Sequence, residues 1–166
     1  ISVEVDGGIG QDYYNHTIDE SNIAEGLPIK YIFNNDSMNI TDVDYSQTYG
    51  FYAIAYSENV NISNATFATD GLGLYNVNKS YGTDTYINST LGMGLNLQNS
   101  DHNTFTDLSI DSFGMGLYVG GSSSNNLSVD INTTNSTAMR VYVSSNNIIE
   151  GEIDAYGVGV LLTDSP

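Results

Sequence analysis

The feature that most restricts what this chain can fold into is a short pattern that keeps returning. Small residues alternate with apolar ones in Gly114-Met115-Gly116-Leu117-Tyr118-Val119. The same alternation stands at Gly71-Leu72-Gly73-Leu74, Gly92-Met93-Gly94-Leu95-Asn96-Leu97, Ala138-Met139-Arg140-Val141-Tyr142-Val143 and Gly157-Val158-Gly159-Val160-Leu161-Leu162. A looser copy is Phe51-Tyr52-Ala53-Ile54-Ala55-Tyr56. Aligned on Ile32, Ile54, Leu74, Leu95, Leu117, Val141 and Val160, the copies lie 22, 20, 21, 22, 24 and 19 residues apart. A unit this short cannot bury its apolar face alone and must stack on its neighbours, so a period of roughly 20–25 residues predicts a solenoid.

A second apolar column keeps the same period. Ile40, Val43 and Tyr45 align with Ile62, Ala65 and Phe67, with Phe105, Leu108 and Ile110, and with Ile148, Gly151 and Ile153. Leu127, Val129 and Ile131 join with a one-residue slip, and residues 76–90 form one poorly matching rung. Between the two columns fall Ser57-Glu58-Asn59, Ser100-Asp101-His102-Asn103, Ser122-Ser123-Ser124-Asn125-Asn126 and Ser144-Ser145-Asn146-Asn147. Asn tolerates the left-handed backbone that such corners need, and stacked amides can bond from rung to rung. No 3.6-residue apolar stripe persists, and β-branched residues, Tyr, Gly and Asn dominate, so helix is not expected. The expectation is an all-β fold of six to seven coils stacked in parallel. At about 4.8 Å per coil the rod is roughly 30 Å long.

Residues 1–30 do not fit the repeat. Ile1-Ser2-Val3-Glu4-Val5 alternates like a half-buried strand, Asp6-Gly7-Gly8 signals a turn, and the remainder reads as a cap over the first rung. The solenoid is expected over 31–166.

The Gly-aliphatic-x-aliphatic strand, Asn/Ser-Asn turn and second aliphatic strand, clearest at 92–110, 114–131 and 139–153, resemble the right-handed parallel β-helix repeat. Tyr14-Asn15-His16-Thr17-Ile18-Asp19 followed by Gly26-Leu27-Pro28-Ile29-Lys30-Tyr31 resembles the entry segment of NosD-like β-helix proteins of archaeal, especially methanogen, cell surfaces. The resemblance covers about 130 residues and implies a right-handed parallel β-helix. It also implies a choice of functions: polysaccharide lyases and hydrolases, carbohydrate-binding surface proteins, and structural sheath or surface-layer components.

Charge narrows that choice. Lys30, Lys79 and Arg140 face 20 carboxylates, for a formal charge of −17. Nucleic-acid binding relies on Lys and Arg at phosphates, and anionic membrane surfaces repel such a chain. No run approaches the ~20 apolar residues of a membrane-spanning helix. Without cysteine there are neither disulfides nor thiolate metal sites. Half of the twenty asparagines stand in Asn-x-Ser/Thr sequons: Asn15, Asn35, Asn39, Asn61, Asn64, Asn78, Asn88, Asn126, Asn132 and Asn135. Sequons mark surface loops of exported proteins, so an extracellular, cell-surface glycoprotein is expected.

Catalysis finds little to build on. Asp42, Asn64, Asp107 and Glu150 align in one outward column, and Asp44, Ser109 and Glu152 in the next. Acid–base work needs paired carboxylates held several ångströms apart. Asp42 and Asp107 stand about three rungs apart, and pairs on one strand face, such as Asp42/Asp44 and Glu150/Glu152/Asp154, read as solvated acids. Arg140 breaks a column of Gly73, Gly94, Gly116 and Gly159 and is expected to pair with a carboxylate. His16 and His102 have no second His or Cys at ligand spacing. No catalytic residues and no cofactor are expected, with calcium at Asp42-Val43-Asp44 or Asp107…Asp111 the one candidate metal.

Two surfaces remain. Phe33, Tyr75, Tyr118 and Tyr142 align as an outward aromatic column suited to glycans or to packing against a neighbouring rod. After the last rung, Val158, Val160 and Leu162, come only four residues, and Ile1, Val3 and Val5 would make a donor strand at the other end. An uncovered β edge invites pairing. The leading expectation is a structural protein whose rods stack end to end into a fibre, sheath or surface layer. A carbohydrate-binding or adhesion module is the alternative, and a polysaccharide lyase or hydrolase ranks third.

Overall fold

A computed structural model describes residues 10–165, so the Ile1, Val3 and Val5 donor strand lies outside the described residues. Apart from a single 3₁₀ turn at Gln11–Tyr13, every regular element is a strand. One sheet holds eight strands in the order β1 (Ile23–Ala24), β2 (Leu27–Phe33), β4 (Phe51–Glu58), β6 (Leu72–Asn78), β8 (Leu95–Gln98), β10 (Leu117–Gly120), β12 (Met139–Tyr142) and β15 (Val160–Thr163). All are parallel except β1, which pairs antiparallel with β2. The second sheet runs β3 (Asn39–Asp44), β5 (Asn61–Ala68), β7 (Tyr81–Ser89), β9 (Thr104–Ser112) and β11 (Asn126–Thr133). It ends in the broken pair β13 (Ile148–Glu150) and β14 (Ile153–Ala155). From β2 to β13 consecutive strands alternate between the sheets, and each pairs with the strand one coil away. The chain is a parallel β-helix of about six turns.

The core fills the space between the sheets. From the first sheet come Ile54, Leu72, Leu74, Leu95, Leu97, Leu117, Val119, Met139 and Val141, and from the second Ile62, Phe67, Ile87, Phe105, Ile110, Leu127 and Ile131. The period is as expected, but the register differs in places. Leu74 pairs with Leu97 rather than Leu95, and Val119, not Leu117, pairs with Val141, which in turn pairs with Leu162 rather than Val160. Alternate residues face the same side of a strand, so a slip of two leaves the inside–outside pattern unchanged and goes unseen in the sequence. In the second sheet Leu127 pairs with Ile149 rather than Ile148, while Ile153 keeps its expected place beside Ile131. The one-residue slip at Leu127–Val129 is a bulge against β9.

Residues 76–90 match poorly because two core positions of β7 are not aliphatic. Gly82 pairs with Ile62 and Phe105, and a Cβ there would stand 2.5 Å from Phe105 Cδ1. The Phe105 ring fills the space that an aliphatic side chain would take. Thr85, beside Ala65 and Leu108, satisfies its buried hydroxyl on the carbonyl of Thr83.

The corners follow one design. They share a left-handed residue, a first ladder position, a middle position, a second left-handed residue and a second ladder position, as in Asn99-Ser100-Asp101-His102-Asn103, where Asp101 N–H donates to Asn78 Oδ1 and Asp101 Oδ1 accepts Ser123 N–H. The first ladder runs through hydroxyls: Val77 N–H donates to Ser100 Oγ, Ser100 N–H to Ser122, Ser122 N–H to Ser144, and Ser144 N–H to Ser165. The second runs through Ser80 N–H to Asn103 Oδ1, Asn103 N–H to Asn125 and Asn125 N–H to Asn147, at 2.8–2.9 Å. Corner amides inside a solenoid have no strand partner, so these side chains supply the acceptors that burial demands.

The N-terminal region does more than cap the first coil. β1 covers the edge of β2, whose start at Leu27 lies ahead of the expected first rung residue Tyr31. Upstream, the segment around Tyr14 crosses the outer face of the first sheet. Tyr31 hydroxyl donates to Tyr14 carbonyl at 2.6 Å, and Asn99 Nδ2 donates to the Tyr14 hydroxyl at 3.0 Å, 85 residues along the chain. Beneath this strap a second cluster forms from Tyr14, Ile29, Phe51, Ala53, Ala55 and Tyr75, with Phe33 and Tyr56 packed against it.

Candidate functional site

The expected aromatic column does not exist as one surface. Register places Phe33, Ala55, Tyr75, Gln98, Gly120, Tyr142 and Thr163 in one outward column. Tyr118 belongs to the neighbouring one, with Gly73, Asn96, Arg140 and Leu161. Tyr75 has no exposed surface, because the strap lies over it, and Phe33 is half-buried. Tyr118 and Tyr142 lie past the strap, Tyr118 half-buried and Tyr142 exposed. The Tyr118 ring lies over Gly120, where a Cβ would collide with it.

Arg140 likewise sits elsewhere than expected. Its column is that of Asn96 and Tyr118, while Gly94 and Gly116 belong to the neighbouring column, with Ala138. It forms no ion pair among the described residues: the two pairs there are Lys30–Glu20 at 2.7 Å and Lys79–Glu58 at 2.9 Å. Instead the guanidinium lies over the Tyr142 ring, 5.3 Å from its centroid. Arg140 Nε and the Asn96 Oδ1 are buried without a hydrogen-bond partner.

The outward acids follow the second sheet. Asp42, Asn64 and Asp107 share a left-handed kink with Asp84, which the sequence reading passed over. Asn64 Nδ2 donates to Asp42 Oδ1 at 2.8 Å. Glu150 pairs with Ser128 instead. Nearer the C-terminus, Asp111 accepts from Tyr86 hydroxyl at 2.6 Å and from Asn132 Nδ2 at 3.0 Å, which holds the Tyr86 phenol above its ordinary pKa. Asp44 accepts from Ser46 N–H, which lowers its pKa. Asp42, Asp44, Asp84 and Asp111 are tied to neighbouring donors, and no group of three or more His, Asp or Glu among the described residues is arranged to hold a metal ion.

One acid is set apart. Asp70 is only 4% exposed, both its carboxylate oxygens lack a hydrogen-bond partner, and burial raises its pKa. It occupies a corner where its neighbour one coil on is Gly92.

Of the ten sequon asparagines, eight are exposed, and Asn61 and Asn78 are half-buried. Asn39, Asn61, Asn64, Asn88, Asn126 and Asn132 lie on strands of the second sheet. The strap carries Asn15, and on the strands of the first sheet the one sequon is Asn78, at the end of β6 beside Glu58.

The two ends of the helix differ. At the N-terminal end β1 occupies the edge of the first sheet, and Lys30, bonded to Glu20 and 5.6 Å over the Tyr49 ring, stands in the inward column that continues as Tyr52, Leu72 and Leu95. At the C-terminal end the core columns run out. Val158, Val160 and Leu162 are 46–63% exposed, beside Ile148 at 62% and Tyr156 at 90%. No strand pairs beyond β13, β14 or β15 among the described residues. No family model, no curated protein and no solved structure matches this chain.

Proposed function

We propose that this chain is an extracellular structural protein: a rigid, glycosylated β-helical rod that assembles through its C-terminal end into a cell-surface fibre, sheath or surface layer. The observation that carries this reading is the end formed by β13, β14 and β15. There, among the described residues, apolar residues of the interior columns stand at the surface beside unpaired strand edges, an arrangement that favours pairing with another β edge. The ladders add direction. In the two ladders each N–H donates to the coil after it, while the middle corner N–H groups of Glu58, Asp101 and Ser123 donate to the coil before, so the last described coil offers ladder donors at Asn147 and Ser165.

Among the described residues, a copy arriving by its N-terminal end meets the unpaired edge of β3 on one sheet and β1 on the other. A copy arriving by its own C-terminal end meets open edges on both sheets. Filaments follow from the first contact and paired rods from the second. The sequons support an exported protein with glycans chiefly on the second sheet, which carries six of the ten.

Sedimentation velocity over a concentration series, with electron microscopy of the same samples, tests the proposal. The wild-type chain is expected to associate, and Leu162→Arg, which places a charge on the exposed end, is expected to hold it monomeric with an unchanged circular dichroism spectrum. A wild-type chain that stays monomeric at every concentration removes the basis for the reading. Expression in a glycosylating host followed by peptide mass spectrometry tests the coat, with occupancy expected at Asn88, Asn126 and Asn132.

A further inference from the structure

We infer that a cleft at the polar corner of the coils built on β2, β4 and β6 binds a neutral, hydroxyl-rich sugar ring. The cleft has a volume of about 250 Å³ and is a trough between two columns of side chains. The left-handed residues Asn34, Tyr56 and Asn76 form one column, and the middle corner positions Asp36, Glu58 and Asn78 form the other. Ser57 lies between them, 2% exposed, its hydroxyl accepting Asn35 N–H and donating to Ala55 carbonyl. The trough depends on long polar side chains in both columns. Further along the same corner the left-handed position becomes Gly121 and then Val143, and the middle position shrinks to Ser123 and Ser145. Asn99, between these stretches, is tied to the Tyr14 hydroxyl.

Some groups around the cleft are spent on the fold. Asp36 Oδ1 accepts Glu58 N–H at 2.7 Å, and Glu58 Oε2 pairs with Lys79 at 2.9 Å. Asn78 donates to Asn76 Oδ1 at 3.0 Å, while its own Oδ1 accepts Asp101 N–H at 2.7 Å. The rest have no hydrogen-bond partner among the described residues: both ends of the Asn34 amide, Asn76 Nδ2, the Tyr56 hydroxyl, Asp36 Oδ2 and Glu58 Oε1. The Tyr56 ring packs against Phe33 and Tyr14, with centroids 6.2 and 6.4 Å away, so its hydroxyl is presented from a braced side chain.

That mixture selects the ligand. Free donors and free acceptors stand side by side, and a sugar hydroxyl, which both donates and accepts, satisfies either. An ammonium offers donors alone and leaves the Asn34 and Asn76 N–H groups unmatched. An anion meets the Asp36 carboxylate on a chain of net charge −17. An apolar molecule finds only the Tyr56 ring. A metal ion fills little of the volume, and no three-acid group among the described residues holds one. Sites for drug-sized ligands run to ~300–1,000 Å³, so a cleft just below that range suits a single ring. It lies on coils remote from β15, so loss of sugar binding and loss of assembly are separate results.

NMR titration of the backbone amides tests the assignment, on chain made in a host that adds no glycan. The probes are the methyl glycosides of glucose, galactose, mannose and N-acetylglucosamine, with glucosamine, glucuronate and calcium chloride as the charged comparisons. At least one neutral glycoside is expected to bind in the millimolar range, with amide shifts confined to residues 34–37, 56–58 and 76–78. Asn34→Gly removes an amide while keeping the left-handed backbone unstrained. Tyr56→Phe removes only a hydroxyl and leaves the packed ring, so it serves even if Asn34→Gly unfolds. Each should weaken binding about fivefold, the worth of one hydrogen bond. No binding of any neutral glycoside, shifts centred elsewhere, or full affinity in Tyr56→Phe and Asn34→Gly overturns the inference. So does tighter binding of glucosamine, glucuronate or calcium than of every neutral glycoside.

Discussion

Asn125→Ala is the most direct probe of what holds the coils together. Asn125 is 1% exposed and its amide makes four bonds. Oδ1 accepts Asn103 N–H at 2.8 Å and Asn103 Nδ2 at 3.1 Å, while Nδ2 donates to Ser100 carbonyl and to Asn147 Oδ1, both at 2.9 Å. Alanine removes all four, but two of the partners keep alternatives: Asn103 Nδ2 still reaches Val77 carbonyl, and Asn147 Oδ1 still accepts Asn125 N–H. Two buried groups are orphaned, the Asn103 N–H and the Ser100 carbonyl. Each orphan costs about 1–3 kcal/mol, so the substitution should cost about 2–6 kcal/mol. Asn147→Ala deletes the same chemistry on the last coil, where the residue is half-buried and water can reach the orphaned groups, and should cost about 1 kcal/mol. Asn125→Ser should recover part of the loss, because Ser80 already serves as acceptor in this column for Val60 N–H. Guanidinium unfolding followed by circular dichroism gives the energies. Native-state hydrogen exchange gives the local readout, with the Asn103 amide losing protection in Asn125→Ala. Equal costs for Asn125→Ala and Asn147→Ala, or a protected Asn103 amide in the variant, would refute the view that the ladder stabilises the corners.

Three further substitutions probe other parts of the structure. Gly82→Ala forces a Cβ into the Phe105 ring and should cost about 1–3 kcal/mol in denaturant unfolding, with Phe105→Leu in the same chain relieving it. Asp70→Asn should stabilise the protein at neutral pH by about 1–2 kcal/mol, since it removes a buried carboxylate without partners. The folded-state pKa of Asp70 lies above its unfolded value, so its neutral form is favoured in the fold and wild-type stability falls as pH rises through that raised pKa. The gain in Asp70→Asn should therefore vanish at pH values below the ordinary carboxylate range. Tyr14→Ala should release the strap, exposing Tyr75 and Phe51, and would be seen as faster proteolysis near residues 10–18 while the coils past β8 stay protected. Tyr31, whose phenol burial pushes up to about 12, provides an alkaline readout: its contribution is intact below pH ~10 and lost as pH approaches 12.

Several features were legible because they are local and repeated. The period, two apolar columns and Ser/Asn corners all follow from one coil stacking on the next. Even the misfit at residues 76–90 pointed to something real, a glycine whose space is filled from the neighbouring coil. The candidate site was less legible. Phe33, Tyr75, Tyr118 and Tyr142 look alike in sequence because all follow an aliphatic anchor. In the fold one is wholly buried, one is half-covered, and the two that remain stand in different columns. Arg140 was expected to find a carboxylate, but the two outward columns around it hold none from β8 to β15, which only register reveals.

The amino-acid sequence by itself determined that this chain coils with a period near 22 residues, carries two apolar columns and turns at polar corners, because each depends on neighbours a fixed short distance along the chain. Tertiary structure decided which alternate residue pairs with which, since strands repeat every two residues and a slip of two leaves the same side inward. It also decided which aromatics see solvent, because the strap reaches across four coils to Asn99, and a contact of that span leaves no periodic trace in the sequence.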